Sequence, residues 1–165
     1  MKRSAFAKGL VGPAGEHYVM YQVHRRGRLA ALTPRNLPEA DVMIVSRDGE
    51  AATLVQVKAR SFGADGGWHM SEKHERIRAA RLVYCFVDFE PAAPVTYLVP
   101  SVLVATVVFE EHQAWLARPG KDGRPHTENK MRRIRPRYPY PVPSAPDGWL
   151  DQWRERWELL GVEAG

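Results

Sequence analysis

The chain has one cysteine in 165 residues, Cys85. That excludes an internal disulfide and a cysteine-built zinc site. Cys85 falls in the apolar run Leu82–Val87, where it reads as a packed thiol rather than a nucleophile, since buried cysteine behaves as a small hydrophobe. No apolar run approaches the roughly 20 residues that a membrane-spanning helix needs. The basic start, Met1-Lys2-Arg3-Ser4-Ala5-Phe6, is not followed by the apolar stretch of a secretory signal. A soluble protein of the cytoplasm, with no membrane partner, is the expectation. There is no GxxxxGK[ST] to cradle nucleotide phosphates and no Gly-x-Ser-x-Gly to present a serine nucleophile. The six histidines show no ligand spacing, and no internal repeat is visible.

What the chain does have is an uneven charge. Of the formal net +5, the stretch from Arg118 to Arg137 carries +6, from eight basic residues against Asp122 and Glu128, and the remainder carries −1. Local arginine and lysine excess neutralises phosphates and releases counterions, the electrostatic footprint of nucleic-acid binding. The plainer reading of the same stretch is a solvated loop. The length is that of one domain. Its parts read as a core over 1–117, a basic proline-rich segment over 118–148, and a C-terminal helix within 149–165 that docks on the core.

The periodicities predict a helix first: Gly12-Pro13 near its start, Val19 and Val23 four apart, Arg25-Arg26 in the last turn and Gly27 as the stop. Short strands are expected at Arg28–Leu32, Asp41–Ser46 and Thr53–Ala59, with Arg35–Pro38 a loop and Asp48-Gly49 at the centre of a hairpin turn. Ser61–Gly67 reads as a glycine-rich loop. Glu72–Ala80 reads as a helix behind a Ser71 cap, Leu82–Val87 and Val95–Val99 as strands, and Ser101–Ala117 as a helix. Trp149, Trp153 and Trp157, spaced i, i+4, i+8, predict one face of a final helix. Helices before and after a central sheet argue for an α/β sandwich.

The chemistry concentrates on the hairpin. Alternation in Leu54-Val55-Gln56-Val57-Lys58 sends Gln56 and Lys58 to one face and Val55 and Val57 to the other. A turn centred between residues 48 and 49 pairs residues whose numbers sum to 97, so Asp41 falls opposite Gln56. Hard divalent cations take oxygen ligands and keep several waters. Asp41, the Gln56 side-chain oxygen and the Val57 carbonyl would supply half of such a shell for Mg²⁺ or Mn²⁺. Lys58 beside it would orient or deprotonate the attacking water and offset phosphate charge. The bland alternative makes Asp41 a strand cap and Lys58 a solvent-facing residue, but two long polar side chains in a valine-rich strand call for a shared partner.

Gly15-Glu16, an aspartate opening a strand, then Gln56-Val57-Lys58-Ala59-Arg60, resembles the PD-(D/E)XK nuclease superfamily, in a Gln-x-Lys version like that of some homing endonucleases. Trp68-His69 and Tyr97-Leu98-Val99-Pro100 are similar to small bacterial members, and the resemblance spans roughly residues 9–110. It implies a restriction-endonuclease-like α/β core, a central mixed sheet flanked by helices. It also implies a metal-dependent endonuclease acting on duplex or branched DNA, with Glu16 joining Asp41, Gln56 and Val57 around the metal and Lys58 completing the catalytic set. A homodimer fits, as many members act so. Two departures stand: Glu39-Ala40 precede Asp41 where Pro-Asp is usual, and Gln56 replaces an acidic residue. A catalytically inactive nucleic-acid-binding domain of the same fold is therefore the alternative, and a protein-interaction domain using the tryptophan helix is a third. Nucleic-acid contacts are expected from Arg60 and Lys73 beside the cleft, and from Arg124, Lys130, Arg132, Arg133, Arg135 and Arg137. His69 and Ser71 are placed at the surface near the same cleft.

Overall fold

A computed structural model describes residues 7, 9–34, 37, 39–61, 66–120 and 122–161. The basic N-terminus, most of the glycine-rich loop after Arg60 and part of the 35–38 loop lie outside the described residues.

The first helix, α1, runs Val11–Arg25 and stops where Gly27 takes φ +73°, a conformation glycine adopts without a Cβ penalty. Strands β1 (Leu29–Leu32), β2 (Val42–Val45) and β3 (Ala52–Arg60) follow as an antiparallel meander. The β2–β3 pairs, Val42↔Val55 through Val45↔Ala52, have the register expected from Asp48-Gly49, with Gly49 at φ +76° in the turn. Strand β5 (Leu82–Asp88) lies parallel to β3, and β6 (Val95–Pro100) antiparallel to β5. The sheet order is β1-β2-β3-β5-β6.

Both faces of this mixed sheet are covered. Val19 and Val23 of α1 pack with Val42, Ile44, Val55, Val57, Cys85 and Val87. On the other face, Val104, Val107 and Val108 of α2 (Ser101–Leu116) pack with Leu82, Tyr84 and Phe86. All seven residues of β5 are buried, as befits a strand covered on both sides. The architecture is the α/β core with a central mixed sheet and flanking helices that the sequence led us to expect.

Three expectations change. The helix over 72–80 shrinks to a single 3₁₀ turn, Glu72–Glu75. Ser71 makes no side-chain cap; it belongs to strand β4 (Trp68–Ser71). Ser101 instead uses its hydroxyl to accept from the Ala79 N–H and donate to the Ala79 carbonyl, tying that backbone to the start of α2. In the basic proline-rich segment the described residues between Arg118 and Lys130 are irregular and mostly exposed, as a solvated loop would be, but the remainder is not. It forms strand β7 (Met131–Ile134), which pairs antiparallel with β4 to make a two-stranded ribbon, and then buries Tyr138, Val142 and Ala145 in the core.

The tryptophan tail is not a helix but two 3₁₀ turns, Asp151–Trp153 and Trp157–Leu160. Trp149 and Trp153 join the α2-side cluster and Trp157 the α1-side cluster, so the three rings do not share one face. Between them Glu155 holds φ +53°. Its backbone N–H donates to the Thr96 carbonyl (2.9 Å), and its carboxylate accepts from the Thr96 N–H (2.8 Å) and hydroxyl (3.0 Å). The tail thus covers the edge strand β6, whose backbone groups would otherwise offer a template for another chain.

Gly15 sets how closely α1 meets the sheet. A Cβ there would stand 2.7 Å from the Ala59 Cβ and 3.3 Å from a Val57 methyl. Gly15→Ala is expected to destabilise the chain by about 1–3 kcal/mol through overpacking, read as a lowered urea midpoint. An unchanged midpoint would mean the helix does not lie this close to β3.

Candidate functional site

Strand β3 outruns its partner. It is paired with β2 only through Val55, and beyond that point the β2 side is met by Asp41, the residue before β2 begins. The Asp41 N–H donates to the Val55 carbonyl (2.9 Å), continuing the ladder by one residue. The Asp41 side chain then turns along β3. Its Oδ2 accepts from the Val57 N–H (2.7 Å) and from the Gln56 side-chain amide. The N–H and C=O of one extended residue point to the same edge, so the Val57 carbonyl faces the same space that β2 has vacated.

Lys58 follows on the Gln56 face of β3, half-buried and beside Phe86 in register. Burial pulls its ammonium below the ordinary lysine range; Asp41 and Glu16 oppose this, while nearby Lys73 adds to it. Glu16, in the second turn of α1, has its carboxyl raised, first by burial and then by the negative charge of Asp41. Glu16, Asp41 and Lys58 thus act on one another electrostatically, and Asp41 and Gln56 touch. The carboxylate and the ammonium do not face opposite sides of the sheet.

The donors suit a hard cation: two carboxylates and a main-chain carbonyl, with room in such a shell for water. Among the described residues there is no group of three His, Cys, Asp or Glu side chains placed to hold a metal, so the set depends on the carbonyl and on Gln56. One detail differs from expectation. Gln56 presents its amide nitrogen to Asp41, not its oxygen; a half-turn about the last side-chain bond exchanges the two.

Beneath these residues lies a pair that the sequence did not reveal. Tyr84 is the register partner of Gln56, and its hydroxyl meets the His74 Nδ1 at 2.7 Å, both groups being buried. Burial, followed by Lys58 and Lys73, pushes His74 down to about 3, while burial raises the Tyr84 hydroxyl. A neutral imidazole and a neutral phenol therefore floor the site. The only signal in the sequence was a histidine ahead of an apolar strand, and it became legible only once β3 and β5 were known to be parallel neighbours.

The residues expected to touch nucleic acid divide. Arg60 is pinned at 2.5 Å to Asp88 and lies 4.4 Å from the Trp68 ring centroid. Arg132 is buried, ion-paired with Glu75 and with Glu128 (3.2 Å), and it donates to the Met131 carbonyl. Arg132 needs these partners because a buried charge is costly unless paired, whereas Arg60 is only half-buried. Arg137 pairs at 3.3 Å with Asp147, and Lys130 stands 3.8 Å from Glu72, all at the surface. Arg124 is exposed, Lys73 is exposed close to Lys58, and Arg133 and Arg135 line a groove beside α2. His69, exposed, lines a cleft with Lys58, Arg60 and Trp68.

His74 gives the site a pH signature. Its unfolded-state affinity for protons is that of an ordinary histidine near 6.5, and its folded value is about 3. Between those values the unfolded chain holds a proton the native chain does not, so stability falls as pH drops through this window. His74→Gln is expected to flatten the acid limb of a stability-against-pH curve by about 1.4 kcal/mol per pH unit. Parallel curves for the two proteins would show that His74 is not held neutral.

No protein-family model and no curated protein sequence matches the chain. Solved structures do. Over 93% of this chain and 98% of the other, it superposes with a TM-score of 0.50 and 12% identity on Hjc, a Holliday junction resolvase of the archaeal hyperthermophile Archaeoglobus fulgidus. A bacterial homing endonuclease, I-Ssp6803I, gives a TM-score of 0.46 at 10% identity, over 93% of this chain and 91% of that one. The chain has a restriction-endonuclease-like α/β fold, the one also seen in the Holliday junction resolvase Hjc.

Proposed function

We propose that the chain is a divalent-metal-dependent nuclease that hydrolyses phosphodiester bonds in DNA. The observation that carries this is the convergence, at the point where β3 outruns β2, of Asp41, Gln56 and the Val57 carbonyl, with Glu16 and Lys58 in electrostatic reach. Glu16, Asp41 and the Val57 carbonyl would hold Mg²⁺ or Mn²⁺, with Gln56 as the neutral fourth member. When bound, such a cation supplies Lewis-acid polarisation of a phosphoryl oxygen and offsets charge in an in-line displacement. The protein's own groups do the rest. Lys58, with its proton affinity lowered by burial, takes a proton from the attacking water at Nζ or, when charged, pairs with the phosphate. The hydrogen bonds to Asp41 Oδ2 fix that carboxylate before substrate arrives, and the His74–Tyr84 pair keeps the strand beneath Gln56 rigid.

A second reading has its own support. Gln56 is uncharged, and its amide donates to Asp41 Oδ2, so the donor set has one negative charge fewer with which to hold a cation. A DNA-binding domain of the same fold without catalysis would look the same.

One assay separates the two. Plasmid and branched DNA are incubated with wild type, Lys58→Ala and Asp41→Asn in Mg²⁺ or Mn²⁺, with EDTA as control. Nicking by wild type is expected, abolished by EDTA and reduced on the order of a hundredfold or more in either variant. Nicking that is equal in all three proteins, or that persists in EDTA, removes the nuclease reading. Binding without any nicking selects the second.

A further inference from the structure

Strand β3 does not end at Lys58. It runs on to Arg60, and alternation brings these two cations out on one face, two residues and roughly 6.6 Å apart along the strand. Both line a cleft of about 230 Å³ bounded by the start of α1 and by β4, together with Ser61, Gly67, Trp68 and the exposed His69. Among the described residues no carboxylate lines this cleft. Lys58 therefore belongs to two places at once, the site at Asp41 and a cleft walled by cations.

Arg60 is held there as an oriented donor. Its guanidinium lies 4.4 Å from the Trp68 ring centroid, and Trp68 is itself fixed by burial and by the bond from its Nε1 to the Val87 carbonyl (3.0 Å). Asp88 takes one corner, Nη2, while the other Asp88 oxygen accepts the Glu90 N–H at 2.9 Å. The Glu90 carboxylate stands farther off, 3.8 Å from the same Nη2. A guanidinium carries five N–H donors in a planar fork. Here both acids meet Nη2, and the Nε–H has no partner among the described residues. Arg132 shows what a purely structural arginine looks like in this chain: all three of its nitrogens donate to protein acceptors. Arg60 is aimed but not saturated.

Neighbouring phosphates along a nucleic-acid strand repeat at a step comparable to that from one β-strand residue to the second after it. A strand whose scissile phosphate meets Lys58 thus brings the next phosphate to the level of Arg60. We infer that the cleft at the end of β3 is a subsite for the phosphate adjoining the scissile one, gripped by Arg60 and by His69 across from it. The inference rests on the nuclease reading and adds two positioning residues to it. By holding a phosphate that does not react, they set which phosphodiester lies over Asp41 and Lys58. Asp88 and Trp68 act through Arg60, fixing its plane before the strand arrives.

The test is binding without turnover. Isothermal titration of the full chain in EDTA compares thymidine 3′,5′-bisphosphate, thymidine 5′-monophosphate and inorganic pyrophosphate. The bisphosphate, whose two phosphates are spaced by one nucleoside, is expected to bind on the order of tenfold tighter than the monophosphate, the worth of one hydrogen bond to a charged group. Pyrophosphate has its phosphates too close to span Lys58 and Arg60, and it is expected to fall well short of the bisphosphate. Arg60→Gln is expected to bring the bisphosphate down to the monophosphate's affinity, and His69→Ala to cut the preference several-fold. Loss of both ligands together with a collapsed melting transition would mean that Arg60→Gln has not folded; the exposed His69→Ala then decides. Equal affinity of wild type for bisphosphate and monophosphate, pyrophosphate bound as tightly as the bisphosphate, or a preference that survives the deciding variant overturns the subsite. A wild type that nicks no DNA yet shows the Arg60-dependent preference defeats only the nuclease reading. One that nicks in Mg²⁺ without the preference defeats only the subsite.

Discussion

Everything at the candidate site follows from an unequal pair of strands. Strand β3 has nine residues and β2 has four, so β3 leaves its neighbour at Val55 and continues with only β5 beside it. Main-chain groups in a protein interior must find partners. The Val57 N–H finds the Asp41 carboxylate, and in doing so brings a negative charge to the middle of the molecule. That charge in turn needs compensation, which Lys58 on the next outward position of β3 provides in part. A metal site placed here would inherit its carbonyl and first carboxylate from a backbone mismatch.

The close approach of α1 completes this arrangement. Gly15 lets the helix backbone press on Ala59 and Val57, which carries Glu16 into the field of Asp41. Burial first, and then the negative charge of Asp41, disfavour ionisation of Glu16. The raised proton affinity of Glu16 is that cost made visible, and a divalent cation is the natural way to relieve it. Burial of the His74–Tyr84 pair on the opposite side keeps the floor neutral, so the site's charge is confined to the residues that would meet a metal or a phosphate.

The basic segment shows how charge count and charge use diverge. Eight basic residues between Arg118 and Arg137 suggested one binding surface. The fold spends Arg132 inside, pairs Arg137 and Lys130 with surface carboxylates, and turns Arg133 and Arg135 to a groove. Exposed ion pairs of this sort hold little energy, whereas the buried arginine is locked to Glu75 and Glu128.

Local patterns in the sequence determined the first helix with its glycine stop, the strands on either side of Asp48-Gly49, the register that sets Asp41 opposite Gln56, and the alternation that puts Gln56 and Lys58 on one face. These depend on neighbours a few residues away, and turn geometry or side-chain periodicity is enough to specify them. Tertiary structure alone decided that Gln56 offers its nitrogen to Asp41, that His74 and Tyr84 lie beneath it, and that Arg132 is structural. It also dissolved two expected helices. The 72–80 stretch is held by β7 and by Ser101, and the tryptophan tail breaks at Glu155 to satisfy the edge of β6. Such outcomes turn on partners far away in the chain, where the need to pair buried polar groups and strand edges outweighs the weak local preference for a helix.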